Sequence, residues 1–199
     1  MTTLYLMRHG QTLFNKMELN QGQCDSPLTQ TGITQAHHAK KWFELQDIHF
    51  DAVYSSTSER ACDTAEIVSG GMPYIRRKGL KEIFLGTKEA TPTSTNPEYP
   101  YGDFFIPFGG EGLDAFTERI SQEIQQIAEK ETGKTILIVS HGLAIKRFMT
   151  TLGMTDVFLK NCGIVHLTYE NTVFTVEEII DPVCKASRKL QKVKKFVER

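Results

Sequence analysis

The chain has 199 residues, of which 40% are hydrophobic and 24% charged, and its formal net charge at pH 7 is −1. This size and composition are typical of a single compact α/β domain, so we expect one domain over residues 1–199. The near-neutral charge argues against a surface that binds nucleic acid or membranes over its whole area. An anion site, if there is one, must therefore be local.

The N-terminal segment and the cysteines indicate the compartment. The first apolar run is short and ends at Arg8 instead of at a small-residue cleavage site, so it does not resemble a secretory signal. No segment approaches the roughly 18 apolar residues of a membrane span. The four cysteines, Cys24, Cys62, Cys162 and Cys184, show no C-x-x-C or metal-ligand spacing. We therefore expect a cytoplasmic protein with free thiols.

The predicted elements alternate between strands and helices along the chain. Near-continuous apolar runs indicate buried strands, and apolar residues at spacings of three and four indicate helices. In chain order they are a strand at Thr3–Met7, a helix over about 31–46, a strand at Ala52–Ser55, a helix over Ser58–Val68, a helix over Leu113–Ala128, a strand at Thr135–Ser140, a helix at Gly142–Leu152 and a strand at Ile164–Tyr169. We expect all four strands to run parallel. The pattern predicts a three-layer α/β/α sandwich with a mainly parallel central sheet.

Two regions depart from this alternation. Residues 86–110 hold four of the seven prolines and many turn formers, which predicts an irregular, lid-like insertion. This insertion contains five aromatic side chains but only one basic side chain, Lys88. The tail at 182–199 is rich in lysine and arginine, and it predicts a basic C-terminal helix with a solvated face. A tail that binds anions or a partner is the alternative interpretation.

Two histidine–glycine steps follow predicted strands. Arg8-His9-Gly10 follows the strand at Thr3–Met7, and His141-Gly142 follows the strand at Thr135–Ser140. In open α/β sheets, ligands bind beyond the carboxyl ends of the strands, so neighbouring strands would bring the two histidines together. Gly142 leaves room for a ligand and begins a helix whose N–H groups and dipole favour an anion.

Further donors complete a possible phosphate pocket. Arg8 and Arg60 carry guanidinium groups, which match phosphate oxygens bidentately, and Asn15 offers an amide. An isolated histidine or arginine is usually structural or solvated, but several donors from three strand ends indicate an anion site. A metal site is the competing interpretation, and no carboxylate or third histidine has a recognisable ligand spacing. We expect the remaining histidines to be structural or exposed: His37, His38, His49 and His166.

Six blocks occur in a familiar order: MRHGQTLFN, QGQCDSPLTQTGITQA, YSSTSERACDTA, LKEIFLG, FGGEG and VSHG. Together they resemble the histidine phosphatase superfamily, which includes cofactor-dependent phosphoglycerate mutases and many small phosphatases. The resemblance extends from Leu4 to roughly Tyr169. It implies a phosphoglycerate mutase-like fold, which agrees with the predicted α/β/α sandwich.

The resemblance also implies roles for particular residues. His9 corresponds to the nucleophile that becomes phosphorylated, and Glu82, in the L-x-E block, corresponds to a frequent general acid. Arg8, Arg60 and His141 correspond to the rest of the phosphate pocket. No metal and no cofactor are expected, because guanidinium and imidazole groups supply the positive charge. A solvated surface position is the alternative for Glu82. The implied substrate-binding residues are Asn15, Gln21, Gly22 and Gly142.

Two positions depart from the family pattern and concern substrate choice. Gly112 stands where many relatives have a serine, and Leu19 stands near the position of an arginine in many small phosphatases. The phosphate pocket itself is unaffected by these departures.

The favoured function is a metal-independent phosphomonoesterase of the histidine acid phosphatase type. The insertion at 86–110 has too few basic residues for the trianionic substrate of a mutase. Its aromatic residues suggest a phosphorylated small molecule with an apolar or aromatic portion, or with fewer negative charges; alternatively, they only pack the insertion down. A phosphoprotein is a second substrate class. The alternatives are a mutase-type isomerase that a bisphosphate activates and a non-catalytic phosphate-binding module. The expected assembly is a monomer or a homodimer.

Overall fold

A computed structural model describes residues 1–183, so Cys184 and most of the predicted C-terminal helix at 182–199 lie outside the described residues. The strands are β1 (Thr2–Arg8), β2 (Ala52–Ser56), β3 (Ile75–Arg77), β4 (Thr135–Ser140), β5 (Ile164–Glu170) and β6 (Val173–Ile180). The helices are α1 (Leu13–Lys16), α2 (Gln30–Leu45), α3 (Glu59–Ser69), α4 (Leu113–Lys130) and α5 (Gly142–Thr151). The strands form one sheet in the order β3-β2-β4-β1-β5-β6.

The two faces of the sheet bury separate hydrophobic clusters. In β1, Leu4 and Leu6 belong to a cluster shared with α4 and α5. The alternate residues Tyr5 and Met7 belong to a cluster shared with α2 and α3, because successive side chains of a strand point to opposite faces. Helices therefore cover both faces, and the predicted three-layer α/β/α sandwich is confirmed.

The direction of β5 differs from the prediction. The strands β1, β4 and β2 are parallel neighbours, as expected, and β3 pairs parallel with β2, but β5 runs antiparallel to β1. The N–H of Cys162 donates to the carbonyl of Arg8, so the chain enters β5 at the carboxyl end of β1 and runs back along it. The expectation that Ile164–Tyr169 is a parallel strand is therefore wrong. An apolar run has the same pattern in either direction, so the sequence carries no signal for this choice.

Two strands were not predicted, and the predicted helices need only small adjustments. β3 has three residues at a sheet edge, and β6 is a half-buried edge strand that pairs with β5 as an antiparallel hairpin. Neither has the continuous apolar run of a central strand. The ends of α2, α3, α4 and α5 differ from the predicted bounds by at most two residues. Within residues 1–183, no helix is both long and apolar enough to cross a membrane.

The segment 86–110 contains three short 3-10 helices, Gly86–Lys88, Thr93–Thr95 and Ile106–Phe108. The Glu89 carboxylate accepts the N–H groups of Gln23, at 2.6 Å, and of Cys24, at 2.9 Å. Because a carboxylate accepts strong hydrogen bonds from backbone N–H groups, this contact attaches the segment to the loop that follows α1. The segment thereby forms one wall of the site described next.

Candidate active site

The two histidines lie at the carboxyl ends of neighbouring strands. β1 and β4 are parallel and in register, with Arg8 opposite Ser140. The residues that follow, His9 and His141, are both buried, and their ring centroids are 5.3 Å apart. The adjacency of two parallel strands thus places both imidazoles at one edge of the sheet.

His9 is held in one tautomer. Its Nδ1 lies 2.7 Å from the carbonyl oxygen of Gly10. A carbonyl only accepts, so Nδ1 carries the proton and Nε2 keeps its lone pair. Burial, and then the charges of Arg60 and Arg8, lower the pKa of His9 well below its ordinary value of 6.5. Thr64 fixes this arrangement, because its Oγ1 accepts the Gly10 N–H at 3.0 Å. A neutral imidazole with a free Nε2 is the form that acts as a nucleophile.

His141 has the opposite tautomer. Its Nδ1 lies 3.1 Å from Nη2 of Arg60, and a guanidinium only donates, so this nitrogen is the acceptor. Nε2 therefore carries the proton and donates to Oγ of Ser56 at 2.8 Å. Burial, followed by the charge of Arg60, lowers the pKa of His141 well below 6.5. Both histidines are consequently neutral near pH 7.

These two histidines predict a loss of stability in mild acid. Their pKa values are lowered in the folded state, so below about pH 6.5 the unfolded chain binds more protons than the folded one. The free energy of unfolding therefore decreases as the pH is lowered. Each contributes up to about 1.4 kcal/mol per pH unit. We expect the free energy of unfolding, measured with urea between about pH 7.5 and 5.5, to fall less steeply in His141→Gln than in the wild type.

The raised pKa of Glu82 has the opposite effect on the slope, but this contribution is common to the wild type and the variant. His37→Gln is the matched control, because it makes the same substitution at an exposed histidine and leaves the buried pair in place. An unchanged slope in His141→Gln would contradict the assignment of a neutral, buried imidazole at this position.

Arg60 lies in the first turn of α3 and is only 1% exposed. Its Nη1 donates to the carbonyl of Cys24 at 2.9 Å and to Oδ1 of Asp25 at 3.0 Å. Its Nη2 donates to the carbonyl of Gly22 at 2.7 Å. Within residues 1–183, its Nε is buried and has no hydrogen-bond partner, and the same holds for Nε of Arg8. Two cationic groups, each with a buried and unbonded donor, favour an anion in the cavity they line.

Two glycines allow the arginines to lie where they do. A Cβ at Gly142 would lie 3.1 Å from Nε of Arg8, so glycine lets this guanidinium rest against the start of α5. Gly22 has a φ of +54°, and a Cβ there would lie 2.5 Å from a carboxylate oxygen of Glu89. Any other residue at position 22 would disturb the loop whose carbonyl groups hold Arg60.

Glu82 is bound to the N-terminus of α5. Its Oε2 accepts the N–H of Leu143 and its Oε1 accepts the N–H of Ala144, both at 3.1 Å. The sequence suggested that the N–H groups of this helix bind a ligand anion, but two of them bind this carboxylate instead. Burial raises the pKa of Glu82, while its backbone hydrogen bonds and the two nearby arginines oppose the rise. Glu82 is therefore a fixed side chain in the cavity wall and not a solvated one.

The side-chain NH₂ group of Gln21 has a closer hydrogen-bond acceptor than that of Asn15. Oδ1 of Asn15 accepts from the N–H of Thr12 at 3.3 Å and from Nδ2 of Asn161 at 3.2 Å. Gln21 accepts from the Thr12 hydroxyl at 2.9 Å and donates to Oγ of Ser26 at 3.3 Å. Among residues 1–183, the Nδ2 group of Asn15 has only a 3.5 Å contact, to Gln21, which leaves it the freer donor towards the cavity. Gln21 mainly holds the loop together.

The cavity has a volume of about 360 Å³. Eight of the nine site residues expected from the sequence line it, namely Arg8, His9, Asn15, Gln21, Gly22, Arg60, Glu82 and Gly142. The ninth, His141, lies behind Arg60 and does not form part of the cavity wall. In this structure it therefore acts on the cavity by orienting the guanidinium group of Arg60.

The sequence interpretation missed residues that hold the proposed site in place. Asp25 pairs with Arg60 and also accepts the N–H of Glu59, at the start of α3. Nδ2 of Asn161 donates to the carbonyl of His9 at 3.1 Å. Asp25 is part of the block QGQCDSPLTQTGITQA, so the pattern contained a signal that was not used. Asn161 follows a segment with no periodicity and gives no such signal.

Two further basic residues were missed because they lie on helices. Arg119 of α4 makes a paired contact with the Glu111 carboxylate, at 2.9 and 2.8 Å, and donates to the carbonyl of Lys81. It thereby holds the chain that leads to Glu82. Lys146 of α5 lines the cavity. The polar positions of an amphipathic helix look solvated in the sequence, so neither residue could be recognised there.

The other four histidines do not line the cavity. His37, His38 and His49 are exposed, and His166 stacks on Tyr5 with ring centroids 4.6 Å apart, so the expectation for these four is confirmed. In the part of the chain that the structure describes, no group of three or more His, Cys, Asp or Glu side chains is arranged to hold a metal ion.

Comparison with known proteins identifies the family. The model of the histidine phosphatase superfamily (branch 1) matches residues 4–182. The chain belongs to this superfamily. The resemblance seen in the six blocks is thereby confirmed.

Relatives within the superfamily carry two kinds of name. The uncharacterized phosphatase PhoE of Bacillus subtilis is 30% identical over 180 residues, which cover 89% of this chain and 91% of PhoE. The probable phosphoglycerate mutase GpmB of Yersinia pestis is 31% identical, over 86% of this chain and 87% of GpmB. Superfamily membership therefore leaves both a phosphatase and a mutase open.

A solved structure shares the fold. Entamoeba histolytica phosphoserine phosphatase, in complex with 3-phosphoglyceric acid, superposes with a TM-score of 0.77 at 30% identity. The match covers 90% of this chain and 96% of that chain. The phosphoglycerate mutase-like fold expected from the sequence is confirmed.

Proposed function

We propose that the chain is a metal-independent phosphomonoesterase that acts on a small phosphorylated molecule through a phosphohistidine at His9. The observation that carries this proposal is the state of His9, which is neutral and keeps the lone pair on Nε2. Arg8 and Arg60 lie around the same cavity, each with a buried Nε–H that has no partner within residues 1–183. Nucleophile and anion donors thus converge on one cavity.

In the first step, Nε2 of His9 attacks phosphorus and the bond to the leaving oxygen breaks. Arg8 and Arg60 donate to the non-bridging oxygens, where negative charge is spread in the transition state. The Gly10 carbonyl accepts the Nδ1 proton and so stabilises the positive charge that develops on the imidazole. Protonated Glu82 gives its proton to the leaving oxygen, so an alcohol departs instead of an alkoxide.

In the second step, water attacks the phosphohistidine. Ionised Glu82 takes a proton from that water and the N–P bond breaks. Inorganic phosphate is released, and neutral His9 and protonated Glu82 are regenerated. Glu82 has to exist in both protonation states during this cycle. Burial favours its neutral form, and the N–H groups of Leu143 and Ala144 favour its ionised form. The net effect is a pKa raised above its ordinary value of 4.5, so the neutral form is more accessible than that of an exposed carboxyl group.

The walls of the cavity favour a phosphatase over a phosphoglycerate-type mutase. Lys88, the only basic residue of segment 86–110, lies 4.7 Å from the ring centroid of Phe108 and does not line the cavity. The same segment contributes Tyr99, Tyr101 and Phe105 to the wall. Such a surface suits a substrate with an apolar or aromatic portion better than a small trianionic acid.

The cavity also favours a small molecule over a phosphoprotein. A volume of about 360 Å³ lies within the range of small-ligand pockets.

We place the protein in the cytoplasm, because Cys24, Cys62 and Cys162 are free thiols.

The test is phosphate release from an aryl phosphate with EDTA present. We expect turnover that EDTA does not change, together with a phosphohistidine at His9 that can be trapped by rapid quenching and located by mass spectrometry. Parallel reactions with 3-phosphoglycerate, with and without a bisphosphoglycerate primer, test the alternative. Primer-dependent isomerisation without phosphate release would mean that the chain is a mutase, and no phosphoenzyme in either reaction would leave only a binding module.

A further inference from the structure

One peptide unit beside the cavity connects two charged side chains. The carbonyl of Gly22 accepts from Nη2 of Arg60 at 2.7 Å. The N–H of the same peptide unit belongs to Gln23 and donates to Oε1 of Glu89 at 2.6 Å. In a planar trans peptide the C=O and N–H bonds point in opposite directions. Arg60 and Glu89 therefore lie on opposite sides of this unit, and their charges polarise it in the same sense.

The backbone of Cys24 contacts the same two side chains. Its N–H donates to Oε2 of Glu89 at 2.9 Å, and its carbonyl accepts from Nη1 of Arg60 at 2.9 Å. Both oxygens of one carboxylate and both Nη groups of one guanidinium thus hold the loop at 22–24 between them, through strong, charge-assisted hydrogen bonds. Glu89 is half-buried and does not line the cavity, so it acts on a ligand only through this loop.

The loop fixes the direction of the Arg60 guanidinium group. Its two Nη groups are occupied by the loop carbonyls, by the Asp25 carboxylate and by Nδ1 of His141. Within residues 1–183, Nε–H is the donor of this group that stays unbonded. A guanidinium is planar and its N–H bonds form a fixed fork, so a shift of the two loop carbonyls would turn the Nε–H bond as well. The contact of Arg60 with a phosphate therefore depends on the position of the loop.

Segment 86–110 is attached to the same loop region by contacts that do not involve Glu89. The side-chain amides of Asn20 and Asn96 donate to each other, at 3.0 and 2.6 Å. The N–H of Asn20 also donates to the carbonyl of Thr91 at 2.8 Å. The segment therefore stays in place when the Glu89 carboxylate is removed, and the specific contribution of this carboxylate is the support of the loop carbonyls.

We infer that Glu89 is a positioning residue for the phosphate site, which holds the loop at 22–24 so that Arg60 presents its Nε–H to the substrate. This inference rests on the proposed function, because it takes the phosphate to lie between Arg60 and His9. The variant Glu89→Gln keeps the shape of the side chain but sets an NH₂ group against one of the two N–H donors. We expect kcat/KM for nitrophenyl phosphate to fall about tenfold. The loss should lie mainly in KM, since Arg60 donates to the phosphate before as well as in the transition state.

The test is a double-mutant cycle, in which Glu89→Gln is introduced into the wild type, into Arg60→Lys and into Arg8→Lys. In Arg60→Lys the loop no longer orients a guanidinium, so we expect the effect of Glu89→Gln to shrink to less than about twofold. In Arg8→Lys, the matched background, the full effect should persist, because the loop at 22–24 does not hold Arg8. Asn96→Ala weakens the other attachment of the segment and should have the same effect in all three backgrounds.

The inference would be contradicted by an effect of Glu89→Gln that is equal in the wild type and in Arg60→Lys, or by no effect at all. An effect that shrinks equally in both arginine variants would also contradict it, because it would show a general change of the cavity and not the positioning of Arg60.

A binding measurement separates this inference from the proposed function. The affinity of benzylphosphonate, which cannot be hydrolysed, is measured by calorimetry over the same cycle. If no phosphate ester is hydrolysed but Glu89→Gln weakens phosphonate binding only where Arg60 is intact, the phosphatase proposal is wrong and the positioning role stands. If esters are hydrolysed and neither assay shows coupling between Glu89 and Arg60, the phosphatase proposal stands and the positioning role is wrong.

A spectroscopic measurement replaces the cycle if Arg60→Lys does not fold. A guanidinium whose two Nη groups are held gives separate nitrogen-15 resonances for them, and one that rotates gives an averaged resonance. We expect Glu89→Gln to lose the separate Nη resonances of one arginine, whereas Glu98→Gln, at an exposed position of the same segment, should keep them. An unchanged arginine spectrum in Glu89→Gln would contradict the inference.

Discussion

The variant His9→Ala is expected to lower kcat for every phosphomonoester by about 10⁴-fold or more, and to form no phosphoenzyme. Nε2 of His9 is the group that bonds to phosphorus, and alanine leaves nothing at that position to form the bond. The neighbouring guanidinium groups still bind the phosphate, so a non-hydrolysable phosphonate should bind to the variant with an affinity similar to that of the wild type. The measurement is steady-state phosphate release together with the quench experiment.

Two controls distinguish loss of the nucleophile from loss of the fold. His37→Ala removes an exposed histidine from α2 and should leave kcat unchanged. The His9→Ala variant should keep its far-ultraviolet circular dichroism spectrum, because the ring of His9 is not part of either hydrophobic cluster. Turnover above about a hundredth of the wild-type rate in a folded variant would mean that another residue is the nucleophile.

The variant Glu82→Gln is expected to slow alkyl phosphates by about 10²- to 10⁴-fold and nitrophenyl phosphate by less than about tenfold. An alkoxide needs a proton as it leaves, and glutamine cannot supply one. A nitrophenolate leaves without protonation, so its first step does not depend on the acid. The measurement is kcat/KM over a series of esters with leaving groups of increasing pKa, in which the variant should show the steeper dependence.

The contacts of Glu82 define the controls for this experiment. Its two oxygens accept from Leu143 and Ala144, so the NH₂ group of a glutamine would face one N–H donor and weaken the cap of α5. Thermal unfolding should therefore be measured alongside activity, with Glu98→Gln, at an exposed position, as the matched variant. An equal loss for alkyl and nitrophenyl esters would indicate that the substitution acts through α5 and that Glu82 is not the proton donor.

Much of the fold could be predicted because its signals are local. The apolar run of β1 and the stripe of α4 each lie within one element, so the sequence is enough to identify them. The same holds for the two histidine–glycine steps, since each directly follows a strand. Once β1 and β4 pair in parallel, His9 and His141 have to meet at one edge. The sequence therefore determined the sandwich architecture and the position of each histidine at a strand end, and the pairing of β1 with β4 brought the two imidazoles together.

The remaining features depend on contacts between segments far apart in the chain. The antiparallel direction of β5 follows from where the chain returns to β1, and an apolar run is the same in both directions. The binding of Glu82 to α5 joins residues about sixty positions apart, and it occupies two of the N–H groups at this helix N-terminus. In the sequence, Lys146 has the pattern of a solvated helix position. Only the structure shows that it contacts Tyr99 and lines the cavity. Hydrogen-bond partners and cavity walls arise only when distant segments close on each other, and for that reason the tertiary structure alone decided them.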